Sequence, residues 1–441
     1  MTPNDAQGAG PAGKTSDGPH IPKFCKAGVM TKEGPDFKVE VLTVPTPEPG
    51  PTELLIRLNC TGICRSDIGF MRTDFGHKLS SFGVQSPGHE GAGVVVKVGE
   101  LVKDWKVGDR AGIKPMWSTC QNCQLCWTDK EAYCPTRLNS GMRVTGSYQQ
   151  YITSPAHYTQ PIPDGVPDHV AGPLMCSAST IYRSIRESKL QHGQWALFPG
   201  GGGGVGLQGV QICAALGLRP IVIDTGADKR AICMELGAEA FIDFKEVEDV
   251  AAEVVAIADG IGAHGVFVTA PSAYSYAVAC IGTRVGGCIL AVGLPPFDSP
   301  MIVGATPRQF IYQNLMIKGT LTASRRDFAD VLDLAKRGKL KSITTEVFPI
   351  DRLPEAVEKV ARLSILSTRD CDKGFIMTFL HWICEACLQK RRKNPEKKTV
   401  SQYWRDFKML YLRCKKGQVV NPTHCEEIRK NINTEVKESS I

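Results

Sequence analysis

Trp195-Ala196-Leu197-Phe198-Pro199-Gly200-Gly201-Gly202-Gly203-Gly204-Val205-Gly206 is the stretch on which the fold turns. A short apolar run passes straight into glycines, and Gly201, Gly203 and Gly206 are spaced as G-x-G-x-x-G. Such glycines let a backbone approach a pyrophosphate, which then sits at the positive end of the following helix. The flanks fit that reading. Trp195–Pro199 reads as a buried strand, Val205–Leu216 has helical spacing, Pro220–Asp224 is a second strand and Asp228–Leu236 a second helix. Asp224 ends its strand eighteen residues after Gly206. A carboxylate there binds both ribose hydroxyls and repels a 2′-phosphate, which favours NAD over NADP. Arg230, close by, is the feature that would tolerate such a phosphate.

Outward from this turn the alternation continues through Gly265–Thr269 and Cys288–Val292, so residues 171–314 read as an α/β unit with a doubly wound parallel sheet of the Rossmann kind. Upstream, residues 21–170 show short apolar runs (Val39–Val44, Leu54–Leu58, Gly93–Val98) broken by Pro and Gly, the pattern of a β-rich domain. Residues 1–20 lack periodicity and read as a disordered arm. After Gln313 the pattern gives an apolar run at Met316–Leu321, a helix at Asp327–Arg337, a strand near Thr345–Phe348 and a helix from Pro354. Residues 315–379 are therefore expected to return to the first domain. Residues 380–441 form a basic extension with helical spacing.

The chain has 441 residues, 22% charged and 42% apolar, which excludes a disordered, collagenous or coiled-coil protein. No apolar run is long enough for a membrane span, and a cytoplasmic location is expected. The formal charge of +7 belongs entirely to the extension, which holds 14 basic and 7 acidic residues and leaves 38 of each in the rest. A neutral body does not suit a protein that coats nucleic acid.

Seventeen cysteines point first to metal. Cys120, Cys123, Cys126 and Cys134 form C-x2-C-x2-C-x7-C, and two-residue gaps let successive thiolates turn onto one ion. Four thiolates complete tetrahedral zinc, leaving no position for substrate. Cys64, His89 and Cys176 are a second candidate set. On spacing alone each is better read as a buried cysteine or a core histidine.

Gly88-His89-Glu90-Gly91-Ala92-Gly93, the quartet and the glycine turn come in an order that resembles the medium-chain zinc-dependent alcohol dehydrogenases, most closely their microbial tetrameric branch. The resemblance runs from about Lys38 to Leu363. It implies a GroES-like catalytic domain beside the Rossmann domain and two zinc ions per subunit. Cys64, His89 and Cys176 would hold the catalytic zinc, a known ligand set in that family, and the quartet the structural one. Asp67 would orient His89, Glu90 would lie near the zinc, and Ser66 would take the alcohol proton. Arg65 would meet the pyrophosphate, although a solvated arginine is its other reading, and Lys229 would contact the ribose beside Asp224. The implied activity is hydride transfer between NAD(H) and an alcohol and its aldehyde or ketone. A homotetramer is expected, with a small alcohol or carbonyl compound as substrate. A polyol dehydrogenase fits the same residues.

Three departures stand out. A histidine that relays the proton in many members is Gly69 here, with His77 nearby as a substitute. The closing Gly-Arg is replaced by a segment in which Arg369 or Lys373 would have to serve. The extension from Leu380 has no counterpart, and its Tyr403-Trp404-Arg405-Asp406-Phe407-Lys408 is faintly similar to a helical segment of fungal recombinase-like mobile-element proteins. Cys384, Cys387, His424 and Cys425 could form a further zinc site, and a nucleic-acid-associated protein acting through this tail is the alternative of a different class. Phe75, Phe82, Trp117 and Leu294 are candidates for the substrate pocket and equally for the core.

Overall fold

The computed structural model describes residues 20–299, 302–343 and 346–362. The arm before residue 20, the segment with Arg369 and Lys373, and the basic extension with its Cys384, Cys387, His424 and Cys425 lie outside the described residues.

Six strands form a parallel sheet in the order Ala240–Asp243, Arg219–Asp224, Trp195–Pro199, Gly265–Val268, Cys288–Ala291 and Met316–Gly319. Trp195–Pro199 and Gly265–Val268 are buried along their whole length, as strands covered by helices on both faces must be. Helices Gly204–Ala215, Ser179–Ser188 and Arg325–Lys336 share one apolar core with this sheet, where Phe198 stacks on Phe267 at 5.1 Å between ring centres. Helix Val250–Ile257 helps to cover the other face. The strand order reverses between Trp195–Pro199 and Gly265–Val268, the topological position at which such sheets open a ligand crevice.

The second sheet is antiparallel, in the order Tyr151–Pro155, Glu53–Thr61, Gly91–Val98, Arg110–Ile113 and Gln160–Pro161. It is the GroES-like, β-rich part of the chain. Strand Phe24–Lys32 pairs with Lys38–Pro45 as a separate hairpin. The fold class is thus α/β, with a Rossmann-type sheet and a β-rich partner.

Two expectations need correcting. Met316–Gly319 does not return to the first domain but adds a sixth strand, in parallel register with Cys288–Ala291. A short apolar run cannot state which sheet will take it. The strand expected near Thr345–Phe348 is not formed over residues 346–348. Val347 is 83% exposed there, without the buried face that stabilises a strand. Helical structure follows at residues 353–362.

Candidate functional site

Cys64 caps helix Arg65–Met71, just after strand Glu53–Thr61, and His89-Glu90 immediately precede strand Gly91–Val98. These strands pair with Thr61 opposite Gly91, which brings the two segments side by side. Cys176 arrives from elsewhere, on a widened π-helical turn at Leu174–Ala178 that leads into helix Ser179–Ser188. Irregular turns of this kind are frequent at functional sites.

The three side chains converge. Cys64 Sγ lies 3.9 Å from Cys176 Sγ, which is 3.2 Å from His89 Nε2. With a Glu90 oxygen these atoms all fall within 4.8 Å of one another. Zinc–sulfur bonds of about 2.3 Å place two tetrahedral thiolates roughly 3.8 Å apart, so the sulfur separation fits one ion. Hydrogen bonding from Cys176 holds the Cys64 thiol well below its ordinary value, while burial pushes the Glu90 carboxyl well above the usual carboxylate range.

Asp67, completely buried, ties the corner together. Its Oδ1 is 2.8 Å from His89 Nδ1, and its Oδ2 accepts the Cys64 backbone N–H at 3.0 Å and the Tyr148 hydroxyl at 2.9 Å. Ser66 donates its hydroxyl to Cys64 Sγ at 3.2 Å. Arg65 is exposed and forms no ion pair with another described residue.

At the quartet, Cys120 Sγ lies 3.9 Å from Cys126 and 3.5 Å from Cys134, and Cys123 lies 3.6 Å from Cys126. These spacings also match tetrahedral thiolates. The described cysteines form no disulfide.

The glycine turn has one closed and one open side. A Cβ on Gly206 would stand 2.4 Å from Gly201 Cα, whereas one on Gly203 would meet nothing nearer than 3.4 Å. The first contact packs helix Gly204–Ala215 onto the turn, and the second leaves the backbone at Gly203 open. Asp224 Oδ2 accepts the Gly202 N–H at 2.9 Å, and Lys229 Nζ reaches Asp224 Oδ1 at 2.6 Å. Arg230 turns away to Glu246 at 2.8 Å and to the Phe241 carbonyl at 3.2 Å.

The space beside Gly69 is filled. A Cβ there would lie 2.4 Å from Cε2 of Phe75, whose ring also packs edge-on against Phe70. His77 is exposed. Of the pocket candidates, Phe75 and Trp117 are half-buried, Phe82 lies under the Arg143 guanidinium, and Leu294 is exposed. Tyr148 escaped sequence reasoning altogether. It lies in the polar stretch Gly146-Ser147-Tyr148-Gln149-Gln150, outside any strand, which carries no cue to its role.

A family described as the alcohol dehydrogenase GroES-like domain matches residues 50–164, and one described as zinc-binding dehydrogenase matches residues 204–337. An alcohol dehydrogenase of Schizosaccharomyces pombe is 38% identical over 337 residues, spanning 76% of this chain and 94% of that protein. The chain belongs to the medium-chain zinc-dependent alcohol dehydrogenase family. Alcohol dehydrogenase 1 of Emericella nidulans is 35% identical, over 71% of this dehydrogenase and 89% of its own length. A crystal structure described as an NAD-dependent alcohol dehydrogenase superposes with a TM-score of 0.68 at 25% identity, covering 76% of this chain and 96% of that one. The dehydrogenase is accordingly an oxidoreductase that transfers hydride between a nicotinamide dinucleotide and an alcohol and its aldehyde or ketone. Neither the polyol nor the nucleic-acid reading gains support from these relatives.

Proposed function

We propose that Cys64, His89 and Cys176 hold a catalytic zinc, that Cys120, Cys123, Cys126 and Cys134 hold a structural one, and that NAD rather than NADP is the cofactor. The reading rests chiefly on the convergence of three metal-ligating side chains from separate segments. When bound, the catalytic zinc supplies Lewis-acid polarisation of the substrate oxygen.

The chain's own residues do the rest. Asp67 accepts the Nδ1 proton of His89 and so fixes the tautomer that leaves Nε2 free as a ligand. Ser66 Oγ stands beside Cys64 and takes the hydroxyl proton of an alcohol. Glu90, buried against the same corner, helps ligands exchange there. Gly201, Gly203 and Gly206 shape the bed for the pyrophosphate, and Arg65, free of ion pairs with the described residues, meets its charge. Asp224 and Lys229 hold the ribose, and the engagement of Arg230 with Glu246 supports the preference for NAD.

The other parts of the proposal concern setting. Met316–Gly319 has a sheet partner on one side only among the described residues, and Ile311 and Tyr312 nearby are 77% and 70% exposed. An open strand edge and apolar surface support a homo-oligomer, which we take to be a tetramer. No helix among the described residues is long and apolar enough to cross a membrane, and we assign the protein to the cytoplasm.

Metal content and turnover test the reading together. Two zinc ions per subunit, with NADH oxidation by a panel of aldehydes and ketones followed at 340 nm, are expected. A chain with one zinc that retains full turnover, or one that prefers NADPH, would overturn it.

A further inference from the structure

Tyr148 touches two of the three segments that deliver ligands to the metal corner, those of Cys64 and His89. Its hydroxyl donates to Asp67 Oδ2 at 2.9 Å, on the helix that starts at Cys64. Its ring lies against Gly88, the neighbour of His89, so closely that a Cβ on Gly88 would stand 2.4 Å from Tyr148 Cδ1. The backbone fastens the residue to the same segment. Tyr148 N–H donates to the Pro87 carbonyl at 3.0 Å, and its own carbonyl accepts from Gly28 N–H at 2.6 Å and from the Ser86 hydroxyl at 3.1 Å. At 1% exposure the ring has nowhere to swing.

The chemistry of Asp67 makes this contact consequential. Its carboxylate is wholly buried, so no bulk water can replace a lost donor. Three donors meet it: the His89 ring, the Cys64 backbone and the Tyr148 phenol. The first two belong to ligand-bearing residues and move with the ligands. The phenol alone comes from a residue that bears no ligand, in the bend that precedes strand Tyr151–Pro155, and can act as a fixed reference. Hydrogen bonds to a buried ionised group are among the stronger ones in proteins, and outer partners of a metal-bound histidine strongly affect metal affinity.

We infer that Tyr148 is a positioning residue for the metal corner, its hydroxyl bracing Asp67 and thereby setting how firmly Cys64, His89 and Cys176 grip a divalent cation. The inference rests on the assignment of those three residues as ligands. Phenylalanine at 148 fills the same volume and keeps every backbone contact, yet leaves Asp67 Oδ2 with one donor.

The test uses the full chain loaded with zinc or cobalt, with metal release to a chromogenic chelator recorded over time. The wild type releases metal in two phases, and Cys123→Ser identifies the quartet phase by abolishing it. Tyr148→Phe accelerates the other phase on the order of 10-fold, leaves the quartet phase unchanged and shifts the visible bands of the cobalt protein. Placing 3-fluorotyrosine at 148, a stronger donor of nearly the same shape, slows that phase. In an Asp67→Asn background, Tyr148→Phe adds nothing. Unchanged release and spectra in Tyr148→Phe overturn the inference, as does acceleration that persists undiminished in the Asp67→Asn background. A wild-type chain with one metal, released in a single phase that Cys123→Ser abolishes, instead refutes the ligand assignment itself.

Discussion

Arg183 Nη1 lies 2.7 Å from Asp129 Oδ2. That contact joins the helix beginning three residues after Cys176 to the loop between the third and fourth cysteines of the quartet. Arg183 also reaches Asp327 at 3.3 Å and Glu187 at 2.7 Å, and Arg186 pairs with Asp327 from the same helix. The quartet loop makes two further attachments to the same region. Glu131 Oε1 accepts the Arg325 backbone N–H at 2.7 Å, and the Tyr133 hydroxyl accepts the Leu321 N–H at 3.1 Å. The seven residues from Trp127 to Tyr133 therefore bind the cysteine lobe to the sheet domain.

The two acids in this network differ sharply in burial, and so should their mutants. The Asp129 side chain is 39% exposed, and Asp129→Ala is expected to cost about 0.5–1 kcal/mol because solvent screens the pair. Asp327 is completely buried, so Asp327→Ala leaves two guanidinium groups short of a partner and should cost about 3–5 kcal/mol. Denaturant titration of the zinc-loaded protein measures both. Equal costs would show that the network is not organised around Asp327.

Lys114 is buried between the rings of Tyr158 and Phe328, with its Nζ 5.0 and 4.9 Å from their centres. Burial pushes its pKa down to about 7, against the pull of Glu131 and with the help of Arg325. The unfolded chain keeps that proton up to the ordinary lysine range, so between pH 7 and roughly pH 10 it binds more protons than the folded one. This group's contribution to stability must then rise with pH across that window, by at most about 1.4 kcal/mol per pH unit. Lys114→Met should be more stable than wild type at pH 7, and the gap should close toward pH 10. Stability curves for the two proteins over this range check the slope, and a constant gap would contradict it.

Replacing Asp224 tests the basis of cofactor choice. Asp224→Ala removes the carboxylate that would repel a 2′-phosphate and frees Lys229 to meet one. The ratio of kcat/KM for NADP to that for NAD should rise roughly 100-fold, equivalent to about 2.7 kcal/mol. Steady-state kinetics with each cofactor decide it.

Phe75 occupies the volume into which a side chain on Gly69 would extend. Gly69→His alone should destabilise the protein by about 1–3 kcal/mol through overpacking, while Gly69→His with Phe75→Ala should fold normally. With no histidine at 69, proton release in the wild type is expected to be slow and sensitive to buffer concentration. The double variant should weaken that sensitivity. Turnover measured across a buffer dilution series, in water and in deuterium oxide, separates the two proteins.

These contacts also mark where sequence reading reaches and where it stops. The glycine turn and Asp224 are legible because each depends on a strand, a turn and a helix adjacent in the chain. The quartet is legible because its four sulfurs lie within fifteen residues. Cys64, His89 and Cys176 carry no such local signal, and only the likeness to known dehydrogenases singles them out. Tyr148 and Lys114 have neither advantage. Their surroundings arise when residues far apart in sequence, such as Asp67 with Tyr148 or Tyr158 with Phe328, meet after the sheets have formed. The sheet assignment of Met316–Gly319 is hidden for the same reason, since strand partners are chosen by the assembled core.

The π-helical turn at Leu174–Ala178 carries a liability of its own. About one more residue is wound into such a turn than a regular α-helix holds, and Cys176 sits at its centre. Deleting a single residue there would remove that surplus and change the direction in which the thiol points. The third corner of the metal cage should therefore tolerate exchange of its apolar neighbours far better than the shortening of its peptide.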